Sequence, residues 1–203
     1  LSITGAKVGL LDADIHGPSI PTLMNTTHEK PKMDGDLMLP IEKDGVQTMS
    51  IGYMVELKQA LVWRGPMLSK AISQFCSDVK WGNLDYLIID LPPGTGDVHL
   101  SVLQHIPISG VAIVTTPEDV AIADTRKAID MFQNPHLVQN LLGIVENMSY
   151  FQPEESGKKY HIFGQGGGQK LSKDCSVDFL GEIPIRENKE FDNIKNDYIP
   201  IVG

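Results

Sequence analysis

Cysteine is nearly absent from this chain, with two in 203 residues. Cys76 and Cys175 are far apart and form no CxxC pair, which excludes a disulfide-stapled scaffold and fits a reducing compartment, the cytoplasm or alternatively the mitochondrial matrix. Long hydrophobic runs are missing too. None approaches the length that spans a bilayer, so membrane insertion is not expected. Basic side chains are in the minority, 17 against 26 acidic ones, for a formal net charge of −9. Such a surface repels a phosphate backbone overall, and nucleic acid is not expected as a partner. No Ser/Gly-rich linker or shift in composition breaks the chain, so a single domain over 1–203 is expected.

What is present is a set of short apolar runs separated by helix-length segments. "KVGLLD" (Lys7 to Asp12), "YLIID" (Tyr86 to Asp90), "GVAIVTT" (Gly110 to Thr116) and "LLGIVEN" (Leu141 to Asn147) lack polar alternation and read as buried parallel strands. "VDFLGEI" (Val177 to Ile183) is a weaker fifth. In "TTPEDVAIADTRKAIDMF", Thr116 is expected to cap a helix that begins at Pro117. "MLSKAISQFCSDV" places Leu68, Ile72, Phe75 and Val79 on one helical face, with Cys76 beside it as a small core side chain. "LMLPIEKDGVQTMSI" carries a Lys43-Asp44-Gly45 turn and reads as a hairpin or edge excursion without a chemical role. Strands alternating with helices predict an α/β fold with a doubly wound, mainly parallel sheet, whose ligands sit beyond the strands' carboxyl ends.

Those ends carry polar groups: Asp12 and Asp14, Asp90 and Asp97, Thr115 and Thr116, Glu146 and Asn147. In "DYLIIDLPPGTGD" a buried strand delivers Asp90 rigidly, the Walker B pattern, where a carboxylate holds a water of a magnesium ion on nucleotide phosphates. The small residues Gly94 and Gly96 let the following loop approach a γ-phosphate and respond to its loss. In "LLDADIHGPSIP", Asp12 and Asp14 point to one side. Asp14 is the candidate for orienting the attacking water with Asp12 in support, the alternative being that one of the two merely caps the following Gly-Pro-Ser turn. His16 reads as a solvated loop residue. "GQGGG" at Gly164 to Gly168 reads as a flexible helix start rather than an anion site.

Together, "GLLDADIHGPSIP", "WRGPM", "LDYLIIDLPPGTGD", "VTTPEDVAIADTRKAIDMF", "GIVENMSYF" and "HIFGQGGG" resemble the Mrp/ApbC family of deviant-Walker P-loop ATPases. That family includes the mitochondrial nucleotide-binding-protein-like iron–sulfur factor. The similarity runs in order from about Lys7 to Ile183. The resemblance implies a MinD-like and nitrogenase-iron-protein-like fold and a homodimer with weak ATPase activity. ATP and Mg2+ are the implied cofactors, and the implied task is to carry [4Fe–4S] clusters to apoproteins. It matches Asp14 and Asp97 to the two switch regions, Asp90 to Walker B and metal, and Asn147 to the residue that recognises the nucleotide base.

Two departures accompany it. The family's lysine-bearing P-loop does not occur in these residues, and the resemblance sets it upstream of Leu1. Where cluster-carrying members have a CxxC, this chain has Pro153 and Ser156, and neither is a thiolate. The absent pair keeps a second function in play, a MinD/ParA-like regulatory ATPase that carries no cluster.

Overall fold

Apolar runs pair as strands because each buried backbone N–H and C=O must find a partner. In the computed structural model, residues 1–14, 17–54, 65–96, 99–100, 102–103, 106–134, 140–153 and 155–185 are described, the side chains of 65–69 excepted. They fall into two compact units, Leu1–Ile106 and Pro107–Gly203.

The first unit is built on β1 (Val8–Asp12), with β4 (Ile41–Lys43), β5 (Val46–Ser50) and β6 (Tyr86–Asp90) in the order β4-β5-β1-β6. β1 runs parallel to both β5 and β6, in a register that sets Asp12 opposite Ser50 on one side and Asp90 on the other. β2 (Met33–Asp34) and β3 (Leu37–Met38) form a separate antiparallel pair. The short helix α1 (Ile20–Leu23) follows β1, and α2 (Gly65–Ser77) precedes β6. Ile72, Phe75 and Val79 are buried, as the helical spacing predicts, together with Leu11, Met49 and Trp81. The Leu68 side chain lies outside the described ones. Trp81 donates its indole N–H to the Phe75 carbonyl at 3.0 Å, so its one polar atom is satisfied inside the core. Cys76 is half-buried, and burial pushes its thiol above the usual range.

The hairpin expected at Lys43-Asp44-Gly45 forms, with Lys43 paired to Val46 and positive φ at both Asp44 (52°) and Gly45 (74°). That is the combination a two-residue type I′ turn requires. Its second strand is a correction, because β5 is no edge excursion. It lies inside the sheet between β4 and β1. The polar residues in "VQTMS" disguise it, since Thr48 and Ser50 are fully buried and satisfied by hydrogen bonds.

The second unit holds β7 (Val111–Thr115), β8 (Leu141–Glu146) and β9 (Phe179–Glu182), parallel in that order, with α3 (Asp119–Phe132) and α4 (Gly167–Cys175) packed on them. Ile113, Ile129, Ile144 and Leu171 make its core. α3 starts later than the sequence suggests. Glu118 is its N-cap, and neither Thr116 nor Pro117 belongs to it. The strand runs on to Thr115, whose carbonyl accepts from Asn147 N at 2.7 Å, so residues 116–118 are spent on the turn into the helix.

Tyr53 joins two segments of the first unit. Its buried hydroxyl lies 2.8 Å from Thr26 Oγ1 and 2.9 Å from Thr48 Oγ1, linking the chain after α1 to β5. Tyr53→Phe leaves two buried hydroxyls short of a partner and is expected to lower the unfolding free energy by about 1–2 kcal/mol. Urea denaturation measures this, and a loss below about 0.3 kcal/mol would show that the hydroxyl triad contributes nothing net.

Candidate functional site

In the first unit the site is a rim of three carboxylates where β1 and β6 end side by side. Asp12 is only 1% exposed, and its oxygens are spoken for. Oδ2 accepts from Ser50 Oγ at 2.9 Å and from Ile20 N at 3.2 Å, and Oδ1 accepts from Asp14 N at 3.1 Å. Burial raises its pKa, and the Asp14 charge adds to the rise, against the lowering effect of Ser50 and the two amides. Asp12 therefore ties β1, β5 and the start of α1 together. Gly52 permits the close approach, since a Cβ there would lie 2.9 Å from Pro18.

Asp14 is half-buried, and its Oδ1 accepts from Gly17 N at 3.2 Å, which shapes the turn after the strand. Asp90 ends the neighbouring strand, and its carbonyl accepts from Ala13 N at 2.9 Å, so the backbone between Asp12 and Asp14 is fastened to it. Asp90 is exposed as a residue. Even so, packing around its carboxyl and then the charges of Asp12 and Asp14 raise its pKa. Like charges brought this close disfavour the ionised form of each carboxyl.

The loop after Asp90 is open. Gly94 has φ +97°, which only glycine adopts easily, and a Cβ at Gly94 or Gly96 would meet nothing within 4 Å. Asp97 and His16 lie outside the described residues. His99 is a residue the sequence reading missed. It is buried, its backbone N–H donates to Gly96 O at 3.0 Å, and its Nδ1 has no partner among the described residues. Burial pushes the imidazole below its usual range. Only its two-residue distance from Asp97 in sequence hinted at it.

In the second unit, Asn147 follows β8. Its amide N–H donates to Thr115 O, and its side-chain Oδ1 accepts from Met148 N at 2.9 Å. Glu146 is fully buried, accepting from Ser149 Oγ and from Gly168 N at 2.6 Å. At the helix start in "GQGGG", one amide therefore already holds the protein's own carboxylate. Pro153 and Ser156 lie in one tight turn, where Gly157 N donates to Pro153 O at 3.0 Å and Lys158 N to Ser156 Oγ at 3.4 Å. Among the described residues, no group of three His, Cys, Asp or Glu could hold a metal ion, and no helix is long and apolar enough to cross a membrane.

Parallel strands flanked by helices, with paired aspartates at adjacent strand ends and a glycine loop after the second, define the class: a P-loop NTPase-type α/β protein. The chain belongs to the ParA-group family described as the NUBPL iron-transfer P-loop NTPase, which it matches over residues 1–199. It is 47% identical over 186 residues to an iron–sulfur cluster carrier protein of Escherichia coli, covering 91% of this chain and 50% of the relative. It is 47% identical over 178 residues to the iron–sulfur cluster transfer protein NUBPL of Mus musculus, covering 88% and 55%. The chain spans about half the length of these curated relatives. Among solved structures, a nucleotide-binding protein of Archaeoglobus fulgidus in complex with ADP matches with a TM-score of 0.77 and 36% identity, over 95% of this chain and 74% of that one. MinD of Aquifex aeolicus matches at 0.55 and 16% identity over 98% and 76%, a likeness of fold alone.

The crowded rim makes a prediction about pH. A carboxyl whose native pKa is raised contributes stability that is fully present below its unfolded pKa and is lost as pH rises through the native one. Asp90→Asn removes that loss. The variant is expected to melt higher than the wild type at pH 7 without nucleotide, and the gain should shrink toward zero by about pH 4. Thermal melts across that range check it, and a gain that grows on acidification would contradict it.

Proposed function

We infer that the protein is a nucleotide-dependent carrier or assembly factor for iron–sulfur clusters, with a weak ATPase activity that drives its switching. The observation that carries this reading is the similarity, at 45–50% identity over about nine-tenths of the chain, to proteins named iron–sulfur cluster carriers from bacteria and an archaeon. The carboxylate rim supports it. Asp90 would hold magnesium, which supplies charge neutralisation at nucleotide phosphates, and one exposed carboxylate suffices because such a magnesium takes few protein ligands. Asp14, at the mouth of the turn, would orient the attacking water, with Asp12 holding it in place. Gly94, Gly96 and Asp97 would form the loop that senses the γ-phosphate, and Asn147 would contact the base. ADP in the Archaeoglobus relative supports a nucleotide here. The main phosphate cradle is not among these 203 residues, which contain no glycine-rich stretch ending in Gly-Lys-Ser or Gly-Lys-Thr.

The family match runs unbroken over residues 1–199, which supports one NTPase domain. A homodimer serving iron–sulfur apoproteins, in the cytoplasm or the mitochondrial matrix, completes the proposal. One observation favours the second reading, a regulatory ATPase without a cluster. Pro153 has no side-chain donor and Ser156 only a hard hydroxyl, where a shared cluster wants thiolates.

The test is anaerobic reconstitution of the full-length protein with iron and sulfide, followed by transfer to an apoprotein with and without ATP. The wild type is expected to hold at most a labile cluster, and Pro153→Cys with Ser156→Cys to raise occupancy and restore transfer. A stable, stoichiometric cluster in the wild type would overturn the ligand assignment. Failure of both proteins to bind or transfer, with ATP hydrolysis intact, would favour the regulatory reading.

A further inference from the structure

Glu146 stands out in the second unit as a carboxylate that is 0% exposed and has no ion pair with a cation among the described residues. A buried carboxylate is retained only where hydrogen bonds replace its water. Here one oxygen accepts from Ser149 Oγ and the other from Gly168 N, in the first turn of α4, where the helix dipole favours a negative charge. The approach is close, because a Cβ at residue 168 would lie 3.1 Å from both Cβ and Oε2 of Glu146 and would have to displace them by a few tenths of an ångström.

Between Glu146 and Ser149 the chain makes a tight turn, with Met148 at φ 54°. Within it, Met148 N–H donates to Asn147 Oδ1 at 2.9 Å, and Ser149 N donates to Ile183 O at 3.0 Å. A backbone N–H can face only the oxygen of the Asn147 amide, so the orientation of that amide is set without ambiguity. The oxygen is used internally, and the NH2 has no partner among the described residues. Asn147 therefore offers a donor, the group that a ring nitrogen of a purine accepts from.

We propose that Glu146 is a positioning residue for Asn147: by gripping Ser149 and Gly168 it closes the turn that presents the Asn147 NH2 to the base of a purine nucleotide. The inference rests on the reading of Asn147 as the base contact. Glu146 touches no ligand itself.

The experiment compares the affinities of the full-length protein for Mg-ATP and for Mg-tripolyphosphate, which carries the phosphates without a base. Glu146→Leu is expected to weaken ATP about tenfold, the scale of one lost hydrogen bond, and to leave tripolyphosphate within about twofold. Glu146→Gln should keep the wild-type ratio, since its carbonyl can accept from Gly168 and its NH2 can donate to Ser149. Gly168→Ala, which pushes on the carboxylate without removing it, should shift the ratio in the same direction as Glu146→Leu, and it serves if the leucine variant does not fold. Asn147→Ala sets the full size of the base contribution. If Asn147→Ala lowers ATP alone while Glu146→Leu and Gly168→Ala change both ligands equally or neither, Glu146 does not position the base contact. If Asn147→Ala leaves the preference for ATP over tripolyphosphate untouched, the base-site reading fails and this inference falls with it.

Discussion

The first unit depends on one buried carboxylate. Asp12 ends β1, the strand that lies between β5 and β6, and its two oxygens collect the Ser50 hydroxyl from β5 and the amides of Asp14 and Ile20. Removing a charged acceptor from two buried donors and one part-buried one costs far more than any exposed ion pair contributes. The exposed pair Lys80–Asp34, at 2.6 Å on the surface of the same unit, has no comparable standing. With Asp12 held, the turn that follows it is determined, and Asp14 and Asp90 end up beside each other at the rim.

The second unit repeats the device. Glu146 ends β8, is fully buried, and accepts from a serine hydroxyl and from an amide at the start of a helix. In each unit a strand closes on an acidic residue turned inward and satisfied. A polar residue just beyond it, Asp14 or Asn147, remains only half-buried. The inward residue stabilises a turn, and the residue beyond it is the more accessible of the two. At the rim the Asp90 carboxyl is raised first by packing around it and then by the charges of Asp12 and Asp14.

Much of this was legible in the sequence. The five apolar runs appear as strands within a residue or two of their expected ends, but the burial expected of them holds only for β1 and most of β8, since Tyr86 and Ile88 of β6 and Val114 of β7 are exposed. The Asp44-Gly45 turn was legible too, since two successive positive φ values admit few residues. β5 was not legible as an interior strand, because Thr48 and Ser50 are polar and their burial is stabilised by partners distant in sequence, Ile41 and Asp12. Ser50 was missed as a site residue on that account. The different duties of Asp12 and Asp14 were equally hidden, since spacing alone puts both on one side. His99 carried no local pattern, and only its burial marks it.

The division between inward and outward carboxylates is tested most directly by urea unfolding of Asp12→Asn and Asp14→Asn side by side in the full-length protein, with ATP hydrolysis measured on each. An amide at residue 12 turns NH2 toward a buried donor, so a loss of about 2 kcal/mol or more is expected there, and a smaller one at the half-buried residue 14. Hydrolysis per folded molecule should fall in the Asp14 variant. Equal stability losses at the two positions, or an Asp12 variant as stable as the wild type, would contradict the account.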